Sequence, residues 1–132
     1  MIPLTLSGSM LLTARISAPD RPAAGVWVRL RVDTGATWAV VDPAVLRGLG
    51  LTPCGVDLVQ GLGGPATPAP VYVVTLDLGA SGRLDRVPVV ALPIPADVGV
   101  QGLFGDNLLD RGLLIRDGPR RQWSFRLTRP SG

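Results

Sequence analysis

The residues best placed to do chemistry lie in Val28-Arg29-Leu30-Arg31-Val32-Asp33-Thr34-Gly35-Ala36. Val28, Leu30 and Val32 alternate with Arg29, Arg31 and Asp33, the period-two pattern of a half-buried strand. That strand runs into Asp-Thr-Gly-Ala, a turn in which Gly35 is expected to take backbone angles closed to other residues. A carboxylate is thus delivered at the end of an apolar strand and held by a turn. Such a group is suited to moving a proton to or from a reacting molecule.

Composition removes most alternatives. All ten acids are Asp and all thirteen bases are Arg; Lys, Glu and His are absent. Without His there is no Ser-His or Cys-His catalysis and no imidazole metal site, and without Lys there is no Schiff base. No metal and no cofactor are expected. The single Cys54 cannot close an internal disulfide. Within Leu51-Thr52-Pro53-Cys54-Gly55 it is expected to be a small buried or half-buried residue, not a nucleophile. The net charge of +3 does not call for a nucleic-acid partner. Arg120, Arg121, Arg126 and Arg129 lie on or beside an alternating strand and read as a solvated face. No run of about 18 apolar residues occurs, so no transmembrane helix is expected. In Met1 to Ala18 the first positive charge, Arg15, follows the apolar part, the wrong order for a secretory signal. The compartment stays open.

The elements that must position Asp33 follow from the punctuation of the chain. The 132 residues, 46% of them hydrophobic, are read as one folded domain spanning 1–132. Seventeen Gly and thirteen Pro cut the chain into short pieces, which suits an all-β domain with many turns. Strands are expected at Ile2–Leu6, Met10–Ile16, Gly25–Asp33, Trp38–Val41, Val56–Val59, Val71–Leu78, Leu84–Leu92, Val100–Phe104, Leu113–Ile115 and Gln122–Thr128. Pro88 hints at an edge or a bulge. Asp42–Gly50 reads as a short helix, with Asp42 as cap, Pro43 at its first position and Gly48 or Gly50 ending it. Gly105–Arg111 reads as another, capped by Asp106 or Asn107. Gln60-Gly61-Leu62-Gly63-Gly64-Pro65 is the glycine-rich tip of a hairpin. Tyr72 and the three Trp residues are expected in the core or an interface.

A second landmark is Gly102-Leu103-Phe104-Gly105-Asp106-Asn107-Leu108-Leu109. Together with the Asp-Thr-Gly-Ala turn and the glycine-rich hairpin between them, it resembles the retroviral-type aspartic proteases (retropepsins), with the motifs in that family's order. The resemblance covers about residues 25–128. It implies an all-β fold, a closed barrel-like domain with a flap hairpin and one or two short helices. It also implies aspartic endopeptidase activity on extended, largely apolar segments of a peptide or protein substrate. Carried over by position, Asp33 matches the catalytic Asp, Thr34 the Thr that locks two turns together, and Gly35 the Gly that lets the turn close. Ala36 stands where pepsin-like relatives carry Ser or Thr. Gln60, Gly61, Leu62, Gly63 and Gly64 match the substrate-covering flap, and Leu103, Phe104 and Gly105 the element that buttresses the turn.

The chemistry needs two carboxylates facing one water, and the chain holds one Asp-Thr-Gly. The second carboxylate must come from another copy, so a homodimer with Asp33 at its axis is expected. Ala after the Gly looks more retroviral-like than pepsin-like, and two departures from the family stand out beside it. Ala36 offers the carboxylate no hydroxyl, so a mildly acidic to near-neutral activity optimum is expected. Thr37 and Trp38 replace the acids that follow the turn in many retroviral enzymes, and Asp106 replaces an Arg. The Thr37-Trp38 departure points to a cellular or bacterial-type member. The rival readings are a peptide-binding module that keeps the fold without cleaving, and a monomeric precursor awaiting a partner.

Overall fold

The computed structural model describes residues 4–5, 10–60 and 65–128. Chain order within them is β1 (Leu4–Thr5), β2 (Leu11–Ser17), β3 (Val26–Val32), β4 (Val40–Val41), α1 (Pro43–Gly48), β5 (Gly55–Val59), β6 (Thr67–Asp77), β7 (Arg83–Ala91), β8 (Gly102–Phe104), α2 (Asp106–Leu109), β9 (Gly112–Asp117) and β10 (Gln122–Leu127). Single 3-10 turns occur at Gly79–Ser81 and Ala96–Val98, the latter not anticipated from sequence.

Six strands close a barrel in the order β2-β3-β8-β4-β7-β6, because β6 pairs back onto β2 through Arg15↔Asp77, Ile16↔Leu76 and Ser17↔Thr75. Closure leaves no long open edge among these strands. The free arm of β6 carries β5 as a hairpin. The alternation in β3 is realised as read: Val28, Leu30 and Val32 are buried, while Arg29, Arg31 and Asp33 face the other way. Inside the barrel they meet Ile16, Val74, Leu76, Val87, Val89 and Phe104, all essentially inaccessible to water. Each such side chain contributes about 1.5–3 kcal/mol, so this interior is the main source of stability. A second, three-stranded antiparallel sheet, β1-β10-β9, sends Trp123 and Phe125 into the same core. The Phe125 ring meets Phe104 edge to face at 5.3 Å.

Local chemistry accounts for most boundaries. Asp42 caps α1 by accepting from the Ala44 amide at 2.9 Å, Pro43 opens the helix, and Gly50 leaves it at φ +70°. β6 begins at Thr67, earlier than expected, because the hairpin arm pairs with β5 as far as Val59↔Thr67.

Several expectations are corrected. Gly35 does not adopt a positive φ. Its value is room, since a Cβ there would sit 3.3 Å from Asp33 Oδ1. Neither Asp106 nor Asn107 caps α2; Gly105 does, without a side-chain bond. Cys54 is exposed, because it precedes β5, which lies at the end of the sheet order. Trp27 is 68% exposed, whereas Trp123 is buried and Trp38 half-buried. Trp27 lies opposite Arg15 on the outward side of β3, where nothing apolar among the described residues covers it. Pro88 sits within β7, and the register shift lies just before it, where Asp85 and Arg86 oppose Thr75 alone and Arg86 takes φ +54°.

Candidate active site

The turn that carries Asp33 is fixed from three directions. The Asp33 amide donates to the Phe104 carbonyl at 3.1 Å, extending the parallel β3–β8 ladder by one residue. The Ala36 amide donates to the Asp33 carbonyl at 3.2 Å and closes the turn. The Gly35 amide donates to Asp33 Oδ1 at 2.9 Å, which sets the carboxylate's orientation. A hydrogen bond to an ionised acceptor is stronger than one between neutral groups. Asp33 is half-buried, and Thr34 and Gly35 are exposed. The Thr34 hydroxyl has no partner among the described residues.

Behind the turn, the apolar-apolar-Gly element serves as a brace. Leu103 and Phe104 pair with Arg31 and Val32 of β3, and Leu103 also pairs with Val40 of β4. The first amides of a helix have no partner within it. Here the Asp106 amide donates to the Ala36 carbonyl at 2.7 Å and the Asn107 amide to the Thr37 carbonyl at 3.1 Å. Helix α2 is therefore docked onto the residues that follow Asp-Thr-Gly. Gly105 is required for that approach, since a Cβ there would collide with the Trp38 carbonyl and lie 2.9 Å from the Ala36 oxygen.

Two residues in this brace were not singled out as structural clamps by sequence reasoning. Asn107 Oδ1 accepts from the Ala39 amide at 2.7 Å, and its Nδ2 donates to the Pro88 carbonyl at 3.0 Å. One side chain thereby joins α2, the residue before β4, and β7. Gln101 Oε1 accepts from the Arg29 amide at 2.7 Å, and the Gln101 amide donates to the Arg29 carbonyl at 2.8 Å. The only local signal for either was an amide side chain beside an apolar-Gly element.

From Arg31 across β8, β4 and β7, the face of the sheet that carries Asp33 is apolar. Cross-strand partners point the same way, and the registers align Leu11, Arg31, Leu103, Val40, Val90 and Val71 in one row across six strands. Val40, Val90 and Ala69 are buried there, with Trp38, Val59, Val71, Leu92, Ile94 and Leu103 packed against them. This second apolar cluster lies outside the barrel, on the Asp33 side. Val59 and Ala69 bring the β5–β6 hairpin onto it. Gln60 stands at the end of that hairpin; Gly61, Leu62, Gly63 and Gly64 lie outside the described residues. A surface cavity of about 660 Å³ elsewhere, lined by Arg83, Asp85, Asp110 and Arg111, contains none of the residues selected from sequence. Among the described residues no cluster of three or more His, Cys, Asp or Glu could hold a metal ion, and no helix is long and apolar enough to cross a membrane.

Comparison with known proteins agrees with this arrangement. The family described as aspartyl protease matches residues 23–108, from just before β3 into α2. No curated protein sequence matches. Among solved structures, the chain is similar to a retropepsin-like aspartic protease from Rickettsia conorii, with 17% identity and a TM-score of 0.64, over 95% of this chain and 89% of that one. At that identity the likeness speaks for the fold. The closed barrel is thus that of a retropepsin-like fold, and the chain belongs to the aspartyl protease family.

Proposed function

We propose that the protein is an aspartic endopeptidase that works as a homodimer, with the Asp33 carboxylates of two copies facing one water. The observation that carries this reading is the state of the Asp33 turn. Its backbone is held by Phe104 and α2, yet its outer surface, including the Thr34 hydroxyl, is exposed and unpartnered among the described residues. A turn braced from behind and open in front is suited to meeting its own symmetry mate. Exposed apolar area for association is available at Leu113 and Ile115 on β9. The segment Leu4–Thr5 pairs with β10 of its own chain, so it is not required to cross to a partner.

Two carboxylates at hydrogen-bond distance cannot easily both ionise, so they share a proton. The ionised one takes a proton from water as the water oxygen bonds to the scissile carbonyl carbon. The protonated one gives its proton to the carbonyl oxygen. Collapse of the resulting diol breaks the C–N bond and passes a proton to the departing amine, without a covalent enzyme intermediate. The apolar cluster beside Asp33 would seat apolar side chains of an extended peptide. The hairpin carrying Gln60, with Gly61, Leu62, Gly63 and Gly64, would cover it and exclude water.

The test is a diverse peptide library incubated with the protein from about pH 3 to about pH 8, beside Asp33→Asn, with sedimentation on the same samples. Cleavage by a dimer, abolished in the variant, supports the reading. Peptide binding without cleavage at any pH favours the non-catalytic module. Cleavage by a strictly monomeric species rejects the paired-carboxylate mechanism.

A further inference from the structure

We propose that Arg31 makes this site select an acidic side chain at one position of the bound peptide, an inference that rests on the cleft reading above. Arg31 is two residues before Asp33 on the same side of β3, which places the two Cα atoms about 6.6 Å apart along the strand. Its register neighbours on that face are Leu11 on one side and Leu103 on the other. The row continues through Val40, Val90 and Val71 without another charge. An arginine is thus set into an otherwise apolar row, two residues before the candidate catalytic carboxylate.

The guanidinium is also short of acceptors. Arg31 Nε is shielded from solvent with no hydrogen-bond partner, and Arg31 forms no ion pair among the described residues. A buried donor left unpaired costs free energy that an incoming acceptor recovers. The arginine cannot escape by losing its proton, and its planar fork matches a carboxylate. Asp33 is not that acceptor, since no ion pair joins the two residues and Asp33 Oδ1 takes the Gly35 amide. Arg29, on the same side of β3, is exposed to water, whereas Arg31 lies in an apolar row with a shielded, unpaired Nε, which fits a peptide that is apolar except for one Asp or Glu. A neutral amide at that position would recover less, because bonds between ionised partners are about twice as strong.

Binding, read apart from cleavage, tests this. Labelled extended apolar peptides, with Glu or Gln placed at each position in turn, are titrated into the Asp33→Asn protein and into Asp33→Asn carrying Arg31→Met or Arg31→Lys. The result expected is one peptide position where Glu binds about tenfold tighter than Gln. That preference falls to about one in Arg31→Met, survives in part in Arg31→Lys, and weakens with salt. Methionine keeps a long apolar stem in the row, and unchanged thermal unfolding confirms that each variant is folded. A Glu-to-Gln ratio of one at every position, or one that persists in Arg31→Met, overturns the proposal. Cleavage by the wild-type protein with no such preference removes this inference and leaves the protease reading intact. The preference without any cleavage does the reverse.

Discussion

Asn107 bridges Ala39 and Pro88, accepting from the amide of the former at 2.7 Å and donating to the carbonyl of the latter at 3.0 Å. Both backbone groups flank the site: Ala39 lies between the Asp33 turn and β4, and Pro88 lies in β7. Asn107→Leu keeps the branched shape, though it is bulkier, and removes both bonds, leaving a donor and an acceptor without partners. Each such loss costs about 1–3 kcal/mol. Chemical denaturation is therefore expected to show a loss of about 2–6 kcal/mol. Asn107→Asp is expected to fall between the two, because it keeps the acceptor for Ala39 but presents an oxygen to the Pro88 oxygen. If Asn107→Leu unfolds at the same denaturant concentration as wild type, the clamp has no energetic role.

Gly105 and Gly48 should respond in opposite ways to the same methyl group. At Gly105 an added Cβ meets the Trp38 and Ala36 carbonyls, which are backbone atoms tied into the turn and α2. Gly105→Ala is expected to cost about 3 kcal/mol or more, in the manner of an overpacked core, and to abolish any peptidase activity by displacing α2. At Gly48, in α1, nothing lies within 4 Å of the added Cβ and φ is ordinary. Gly48→Ala is expected to stabilise by about 0.5–1 kcal/mol. Thermal unfolding of the pair checks both signs at once.

These contrasts mark what was legible in the sequence. The β3 alternation and the Asp42 cap are local patterns, and local sterics and burial realise them. The pairing of β3 with β8 joins residues some seventy positions apart (Leu30↔Gly102) and is not written in either segment alone. The surroundings of side chains were also non-local. Alternation puts Arg31 on the polar side of β3, but its row proves apolar once β8, β4 and β7 bring Leu103, Val40 and Val90 alongside. Cys54 was expected buried or half-buried because of its residue type, and the topology supplies no cover there; Trp27, expected in the core or an interface, is not in the core of this chain.

Thr75 offers a test of the barrel seam. It faces Ser17 where β6 closes onto β2, it is 3% exposed, and its hydroxyl has no hydrogen-bond partner. Burying an unpaired hydroxyl is unfavourable, and valine has the same shape without it. Thr75→Val is expected to raise stability by about 1 kcal/mol in urea unfolding. A loss of stability would show that the hydroxyl is satisfied in solution.

Asp42 should govern part of the response to acid. Its Oδ1 accepts from the Ala44 amide at 2.9 Å and its Oδ2 from the Ile94 amide at 3.1 Å, tying α1 to the loop after β7. These bonds, that from Ile94 foremost, hold the carboxyl below its ordinary value of 3.8 against the opposing effect of burial, with Arg47 assisting. A depressed folded-state value means that the stabilisation is fully present above about pH 4 and is lost as pH falls through the folded value. Asparagine has one acceptor oxygen and cannot serve both amides. Asp42→Asn is therefore expected to be less stable than wild type by about 1–2 kcal/mol at neutral pH. Once the pH is below that folded-state value the two proteins should converge, because protonated Asp42 also presents a donor to one of its amides. Urea midpoints measured at neutral pH and in acid decide this, and a gap that stays constant on acidification would assign the effect to packing instead of charge.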